Sequence, residues 1–153
     1  MFNEIIIHII SLTHPVMFLN SHNNLLNVLN IGVEYGDDVK ELIRNMKEKY
    51  GDIIIILGHG CCSPTEPQIY RASDFIVGSD YVEVGRVDGV PFYIERNLAE
   101  SYNGWILTLR VEPLNGTVDD SFSLDVLEGV RLRLGFKAMK VSLSKNLSME
   151  FPQ

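Results

Sequence analysis

The chain is poor in cysteine and in basic residues, and each shortage excludes a class of protein. Its two cysteines, Cys61 and Cys62, are neighbours, so they cannot form the long-loop cross-links that hold small secreted domains together. Thirteen basic residues against 20 acidic ones give a net charge of −7, which offers no electrostatic footprint for phosphate backbones or anionic membrane surfaces. We therefore expect a cytoplasmic protein that binds neither nucleic acid nor membrane.

Long apolar runs and N-terminal basic residues are also lacking. The first apolar run, Ile5–Leu12, contains His8 and is too short to span a bilayer. It follows Glu4 without a basic flank, which does not fit a signal peptide. Lysine and arginine are absent from residues 1–39, whereas three of the four histidines fall there. The segment therefore differs in character from the rest of the chain.

The composition predicts one domain with extensions at both ends. A chain of 153 residues with 46% hydrophobic content is long enough for one well-buried core and short for two. We expect residues 1–32 to be an atypical, disordered extension, or a product of a start codon placed too early, since translation from near Ile31 fits the composition. Residues 33–136 are predicted to form the domain. Residues 137–153 are predicted to be a tail or an edge strand.

Hydrophobic periodicity predicts an α+β fold. Apolar residues recur at helical spacing over 39–50, with Asp38 and Glu41 as a variant capping box and Gly51 as a stop. This pattern predicts one principal N-terminal amphipathic helix. The run Ile53–Leu57 is short, β-branched and not alternating, which predicts a strand buried on both faces.

The period changes to two after residue 67, which predicts a mainly antiparallel β-sheet. The Asp88-Gly89 pair predicts a two-residue hairpin turn. Arg131 and Arg133 alternate with apolar residues on one strand, a pattern that indicates either an anion site or, more commonly, an exposed arginine ladder. The predicted strands cover residues 75–77, 81–87, 90–95, 105–112, 122–126 and 130–134, with a short helix or turn at 96–102.

The segment Gly58-His59-Gly60-Cys61-Cys62 directly follows the buried strand, and it is the candidate site. It delivers two thiols and an imidazole to a strand end, where a rigid sheet supports a reactive loop. One interpretation is a metal site of Cys61, Cys62 and His59, supported by Glu66, Tyr70 or Asp74. Because two or three ligands do not close a tetrahedral site, a homodimer with four thiolates is the other way to hold zinc or an iron–sulfur cluster.

Two other interpretations of the cysteines stay open at this point. A thiol with a lowered pKa next to His59 would add to an aldehyde as a hemithioacetal, or form a reversible disulfide with a partner. Alternatively, both cysteines only pack, since cysteine is often buried as a small apolar residue, and the protein is a non-catalytic binding or regulatory module. The sequence defines no catalytic residue.

The ordered set of motifs between the helix and Phe136 resembles one family. It resembles the small prokaryotic proteins catalogued as domain of unknown function family 779. This resemblance implies an accessory role in aldehyde metabolism, with an aldehyde dehydrogenase as partner. The chain departs from the family at Ile69, where a third cysteine is common, and at His59, where glycine is common. A three-thiol mechanism in one subunit is therefore not implied. The matching residues are Gly60-Cys61-Cys62, Pro67, Tyr70, Phe75, Gly89–Ile94, Phe122-Ser123-Leu124-Asp125 and Glu128-Gly129-Val130-Arg131.

A fainter similarity is to the HesB/IscA-like iron–sulfur carriers. These also run from a helix and a strand into a glycine-cysteine loop, followed by antiparallel strands and a late short helix. The similarity implies a HesB/IscA-like sandwich. It implies no function, because the carriers end in a Cys-x-Cys pair that this chain lacks, and a shared fold does not carry function with it.

Overall fold

The computed structural model describes residues 16–18, 27–58, 66–119 and 121–140. In these ranges the fold is α+β, with mainly strands in mixed sheets and with three helices. None of these helices combines the length and the apolar composition needed to cross a membrane. The helices are α1 (Asp37–Tyr50), α2 (Arg96–Ser101) and α3 (Leu124–Leu127). The strands are β1 (Val16–Phe18), β2 (Asn27–Leu29), β3 (Gly32–Tyr35), β4 (Ile53–Leu57), β5 (Gln68–Arg71), β6 (Tyr81–Val87), β7 (Val90–Glu95), β8 (Trp105–Pro113) and β9 (Val130–Ala138).

Two larger sheets form the body of the fold, and each is mixed. The four-stranded sheet has the order β5-β4-β7-β6, with β4 and β7 parallel and the outer pairs antiparallel. The three-stranded sheet has the order β3-β8-β9, with β3 parallel to β8 and β9 antiparallel to it. Most pairs of the described strands are antiparallel, as predicted, but the two parallel pairs, β3–β8 and β4–β7, were not. Parallel neighbours are far apart in sequence and leave no local turn signal.

The apolar core contains the inner faces of both sheets and one side of α1. Ile55 and Phe92 of one sheet and Leu107 and Leu132 of the other are fully buried in one cluster. The helix contributes residues that recur every three or four positions, which places them on one face: Val39, Leu42, Ile43 and Met46.

The stretch just before β3 is part of the same core. Leu29 is 5% exposed and Ile31 is 1% exposed, and both belong to the apolar cluster. The strand β2 also pairs with β1 in a separate antiparallel sheet. The limits of the predicted extension, residues 1–32, stay a prediction, as do those of the tail, because most of both lies outside the described residues.

Local signals identify several elements correctly. All five residues of β4 are buried, which confirms the strand predicted to be covered on both faces. Asp88 and Gly89 have positive φ angles of 48° and 82° and join β6 to β7, which confirms the predicted two-residue hairpin turn. Gly51, with φ of 80°, follows the last residue of α1.

The predicted capping box at the start of α1 is wrong. Gly36 is the N-cap residue, and no side chain caps the helix. Asp38 instead accepts a hydrogen bond from the backbone N–H of Val111, with 2.9 Å between nitrogen and Oδ2. The carboxylate of Asp38 therefore binds the backbone of the neighbouring strand β8 instead of capping the helix. Sequence spacing alone does not reveal this contact.

The strand predicted at 75–77 is irregular, and β5 takes its place. Phe75 stacks on Tyr70 with ring centroids 5.3 Å apart and meets Tyr81 edge-on at 6.0 Å. Only the ring of Phe75 is packed in this segment, whereas Ile76 is 93% exposed. The apolar residues at 75–77 therefore do not form a strand. The strand β5 has four residues with only Ile69 fully buried, too short a pattern to predict.

The strand predicted at 122–126 is also wrong, because Leu124–Leu127 form the helix α3, and the polar residues rather than the apolar ones face inwards. Ser123 and Asp125 are 1% and 0% exposed, whereas Phe122 is 90% exposed. The Ser123 hydroxyl oxygen accepts a hydrogen bond from the N–H of Ile69, and Asp125 accepts one from the N–H of Leu132. These bonds hold α3 across the edges of β5 and β9, one from each large sheet.

Candidate functional site

The candidate loop connects β4 to β5. Its residues 59–65, which include His59, Cys61 and Cys62, lie outside the described residues. Both of its ends are described. The pairing of Ile56 with Gln68 closes the hairpin below the loop, so Gly58 and Glu66 mark where the loop leaves and rejoins the sheet.

The first end of the loop leaves an apolar, fully buried strand. Leu57 is 0% exposed and pairs with Ile94 of the parallel strand β7. Gly58 follows directly, and a Cβ atom at this position would lie 2.8 Å from the hydroxyl oxygen of Tyr81. A glycine is therefore favoured here because the phenol occupies the space that a side chain would take.

An aromatic cluster of Tyr70, Phe75 and Tyr81 lies beside this end. Burial raises the pKa of Tyr81 above its usual value near 10, and the carboxylates of Glu95 and Asp80 add to the effect. Tyr81 is thus a neutral phenol at neutral pH. Tyr70, predicted as a supporting ligand, donates a hydrogen bond to Gln68 Oε1 at 2.6 Å.

The second end of the loop rejoins the sheet beside two arginines. Glu66 Oε2 lies 3.4 Å from Nε of Arg131, and Glu66 Oε1 accepts a hydrogen bond from Arg133. The carbonyl oxygen of Pro67 is 3.5 Å from Nη1 of Arg131. Both residues that end the loop therefore contact the same guanidinium group.

Arg131 is the centre of what we call the ion cluster: Glu66, Arg110, Glu112, Asp119, Asp125, Arg131 and Arg133. Arg131 is 1% exposed, and its Nη1 donates to Asp125 Oδ1 at 3.2 Å. Its Nε lies 3.0 Å from Asp119 Oδ2, an ion pair whose angles do not suit a hydrogen bond. A buried guanidinium needs such partners, because an uncompensated charge in the interior is expensive.

The rest of the ion cluster extends along the outer face of β8 and β9. Arg133 pairs with Glu112 at 3.0 Å, and Arg110 reaches the same carboxylate at 2.6 Å. Four carboxylates against three guanidinium groups leave one net negative charge. The prediction of an exposed arginine ladder is wrong for Arg131, and the surplus of carboxylates does not suit an anion site.

The pKa shifts of three members, Asp119, Glu112 and Arg133, all favour the charged form. Burial by itself would raise the pKa of Asp119, but a hydrogen bond from the N–H of Ser121 and the charges of Arg131 and Arg133 bring it below its usual value. Hydrogen bonds from Arg110 and then from Arg133 lower the pKa of Glu112. Burial opposes the charge of Arg133, yet Glu66 and Glu112 raise its pKa overall.

The structure separates two of the predicted supporting residues. Glu66 precedes β5, whereas Asp74 follows it, in a turn where its N–H donates to Arg71 and its carboxylate accepts from Ser73. A four-residue strand spans about 10 Å, so Asp74 and Glu66 lie at opposite ends of β5. Across residues 27–58, 66–119 and 121–140, no three side chains of His, Cys, Asp or Glu form a metal site.

Sequence reasoning missed the ion cluster, although one signal pointed to it. The residues are distant in sequence, so no local spacing connects them. The motifs that carried the family resemblance, however, contain Ser123, Asp125 and Arg131, and the structure brings all three beside the end of the cysteine loop. If the motifs 122–125 and 128–131 had been interpreted as parts of one site, they would have indicated the cluster.

Comparisons with known proteins give a family match and one curated relative. The family model described as Domain of unknown function (DUF779) matches residues 42–137. A protein of Pyrococcus furiosus named dolichol-phosphate mannosyltransferase is 33% identical over 116 residues, covering 68% of this chain and 32% of that protein. The chain thus spans about a third of the length of this relative. No solved structure matches.

Proposed function

The chain belongs to the family described as domain of unknown function 779, and we propose that it is an accessory protein whose Gly60-Cys61-Cys62 loop binds a metal ion or an iron–sulfur cluster. The main observation in support is that the structure holds both ends of the loop in place. A fully buried strand ends at Leu57, and the ion cluster holds Glu66, so the only two thiols of the chain lie between two anchored points. Ligands supported by rigid elements are the arrangement that metal sites need.

The ligand count favours two copies of the chain. Both oxygens of Glu66 are engaged by Arg131 and Arg133, and Asp74 lies at the far end of β5, so neither is a good additional ligand. We propose a homodimer in which each copy supplies Cys61 and Cys62. Four thiolates suit zinc or a [2Fe–2S] cluster. His59 is the other donor in the loop.

The charge at the loop end supports a cation rather than a free thiolate. A reactive cysteine of lowered pKa needs a positive environment. The ion cluster, which contacts the loop at Glu66, carries one more carboxylate than guanidinium groups. A neighbouring negative charge attracts a metal ion and disfavours an unbound thiolate.

The first test is anaerobic purification followed by metal analysis and an ultraviolet–visible spectrum. We expect one zinc ion or one [2Fe–2S] cluster for every two chains of the wild-type protein, and its loss in Cys61→Ser and in Cys62→Ser. Ser73→Ala, a change in the turn at the far end of β5, is the matched control and keeps the metal. Unchanged metal content in both cysteine variants would dispose of the proposal.

The second candidate function is reversible thiol chemistry with aldehydes. The neutral hydroxyl of Tyr81 beside Gly58 favours it, because a phenol donates a hydrogen bond to a carbonyl oxygen. The sulfur would bond to the carbonyl carbon and the thiol proton would go to the oxygen, with no leaving group. Fast, stoichiometric alkylation of a metal-free protein near neutral pH would support this function, whereas inert thiols would leave a binding or regulatory module with structural cysteines.

The proposed setting is the cytoplasm, with an aldehyde dehydrogenase as partner. The partner follows from the family resemblance, and the cytoplasm from the small number of cysteines. Retention of an aldehyde dehydrogenase on the immobilised protein, with Cys61→Ser as comparison, tests the link. The mannosyltransferase relative contributes no activity to this proposal, because the match covers only 32% of that protein.

We propose in addition that the domain is related to the HesB/IscA-like sandwiches. The order of α1, β4, the cysteine loop and the antiparallel β6–β7 hairpin supports this relationship. An experimental structure of the domain, compared with those carriers, tests it.

A further inference from the structure

The outward edge of β5 is held by side chains instead of by another strand. On this edge the N–H of Ile69 donates to Ser123 Oγ at 2.8 Å, and two residues earlier the carbonyl oxygen of Pro67 faces Nη1 of Arg131 at 3.5 Å. Alternate residues of a strand direct their backbone groups to the same side, so these two groups form one edge. Among the described strands, β4 alone pairs with β5.

The side chains that hold this edge are themselves fixed. Asp125 Oδ2 accepts the N–H of Leu132 at 2.7 Å, and the same carboxylate accepts Nη1 of Arg131. Arg131 then extends to Glu66, the residue directly after the loop. A continuous path of contacts therefore runs from the backbone of β9 through Asp125 and Arg131 to the end of the cysteine loop.

We propose that Arg131 is a positioning residue for the Gly60-Cys61-Cys62 loop, acting through Glu66 and Pro67. The inference deepens the proposed function, since it takes that loop as the site. A guanidinium group presents several donors in a fixed plane, so it contacts Asp125, Glu66 and the Pro67 carbonyl together. A lysine in its place keeps the charge but has one nitrogen, which cannot make all three contacts.

The test compares Arg131→Lys with a core variant of equal stability. Ile43→Val and Leu107→Ala remove buried methyl groups far from the loop in sequence, and whichever matches the denaturant midpoint of Arg131→Lys is the control. The readout is the rate at which Cys61 and Cys62 react with iodoacetamide in native buffer with a chelator. We expect about tenfold faster alkylation in Arg131→Lys than in the control, the effect of losing a hydrogen bond of a charged group.

A second variant keeps the test decisive if Arg131→Lys does not fold. Glu66→Gln changes a residue whose side chain is only partly buried, and it removes the charge that Arg131 contacts. We expect faster alkylation here too, with a smaller increase than in Arg131→Lys. Lys137→Gln is the surface control, because Lys137 pairs with Glu34 outside the ion cluster, and we expect it to leave the alkylation rate unchanged.

The metal arm separates the positioning role from the proposed function. If the loop binds metal, we expect about 10- to 100-fold weaker zinc binding in Arg131→Lys, as when an outer support of a metal ligand is removed. A wild-type protein that holds neither zinc nor iron would overturn the proposed function, while the alkylation rates would still test the role of Arg131. Equal alkylation rates in Arg131→Lys, Glu66→Gln and their controls would overturn the positioning role.

Discussion

The two ends of the cysteine loop are anchored by different forces. The first end leaves β4, where Ile55 and Leu57 are fully buried among apolar neighbours. The second end rejoins the sheet at Glu66, which two arginines hold through charge and hydrogen bonds. Burial of apolar surface does not depend on pH, whereas a cluster of carboxylates and guanidinium groups does. The loop can therefore be loosened selectively from its second end.

Because apolar burial holds one end and ion pairs hold the other, the two ends contribute differently to stability and to position. Apolar burial is the main favourable term in folding, at about 25 cal/mol for each Å² removed from water. A buried ion pair contributes little net stability, because taking both charges out of water offsets their attraction. Its geometry is specific, however, since Arg131 must meet Asp125 and Asp119 together. We infer that β4 supplies stability and that the ion cluster supplies position.

The largest effect is expected from removing the central charge of the ion cluster. Arg131→Met leaves Asp125, which is 0% exposed, without its cation. Breaking a buried pair in this way costs about 3–5 kcal/mol of unfolding free energy. Urea denaturation measures it, and the surface variant Arg110→Met serves as control. A loss under about 1 kcal/mol would show that the cluster is solvated and that its charges are not held as buried ion pairs.

A smaller effect is expected at the first end of the loop. Gly58→Ala introduces a Cβ atom 2.8 Å from the Tyr81 hydroxyl oxygen, and such overpacking costs about 1–3 kcal/mol. Tyr81→Phe removes that oxygen, so the double variant should recover most of the loss in thermal unfolding. If Tyr81→Phe does not relieve Gly58→Ala, the close contact is not what favours glycine at this position.

Acid should weaken the second end before the first. The pKa of Asp119 lies below its usual value of 3.8, so its contribution to stability is present above that pH and is lost as the pH falls through the lower folded pKa. Wild type should therefore unfold at a higher temperature than Asp119→Asn at pH 6, with the difference shrinking below pH 3.8. A difference that stays constant down to the acid limit would contradict the assignment.

The smallest effect is expected from an exposed ion pair on the same sheet face. Lys137 and Glu34 are 3.2 Å apart, and both side chains are about half exposed. Lys137→Gln should change the unfolding free energy by about 0.5 kcal/mol or less, because solvent screens such pairs. A loss as large as that of Arg131→Met would mean that burial does not distinguish the ion cluster from the surface.

Local patterns were sufficient for elements whose contacts are local or apolar. The uninterrupted run Ile53–Leu57 predicted a strand covered on both faces, and Asp88-Gly89 predicted a hairpin turn; both are correct. The apolar spacing over 39–50 matches the buried face of α1. In these cases the physical cause, burial or a positive φ angle, acts within a few residues.

Local patterns did not predict the polar side chains that form hydrogen bonds with residues distant in sequence. Alternation at 122–126 indicated a strand with apolar residues inside, but Ser123 and Asp125 point inwards to bond β5 and β9. The pattern of burial is thus the reverse of the usual one. The cysteine loop was identified from its residues alone, whereas its anchor, Arg131, became evident only when strands distant in sequence were placed side by side.

Metal binding by the thiols of Cys61 and Cys62 is tested most directly by cobalt titration of the metal-free protein. Cobalt bound by thiolates gives an intense charge-transfer band in the near ultraviolet, and it takes zinc-like tetrahedral sites. We predict this band at one cobalt per two chains, with its loss in Cys61→Ser and in Cys62→Ser and its retention in Ser73→Ala. A wild-type protein that shows no such band at any cobalt concentration would contradict the claim.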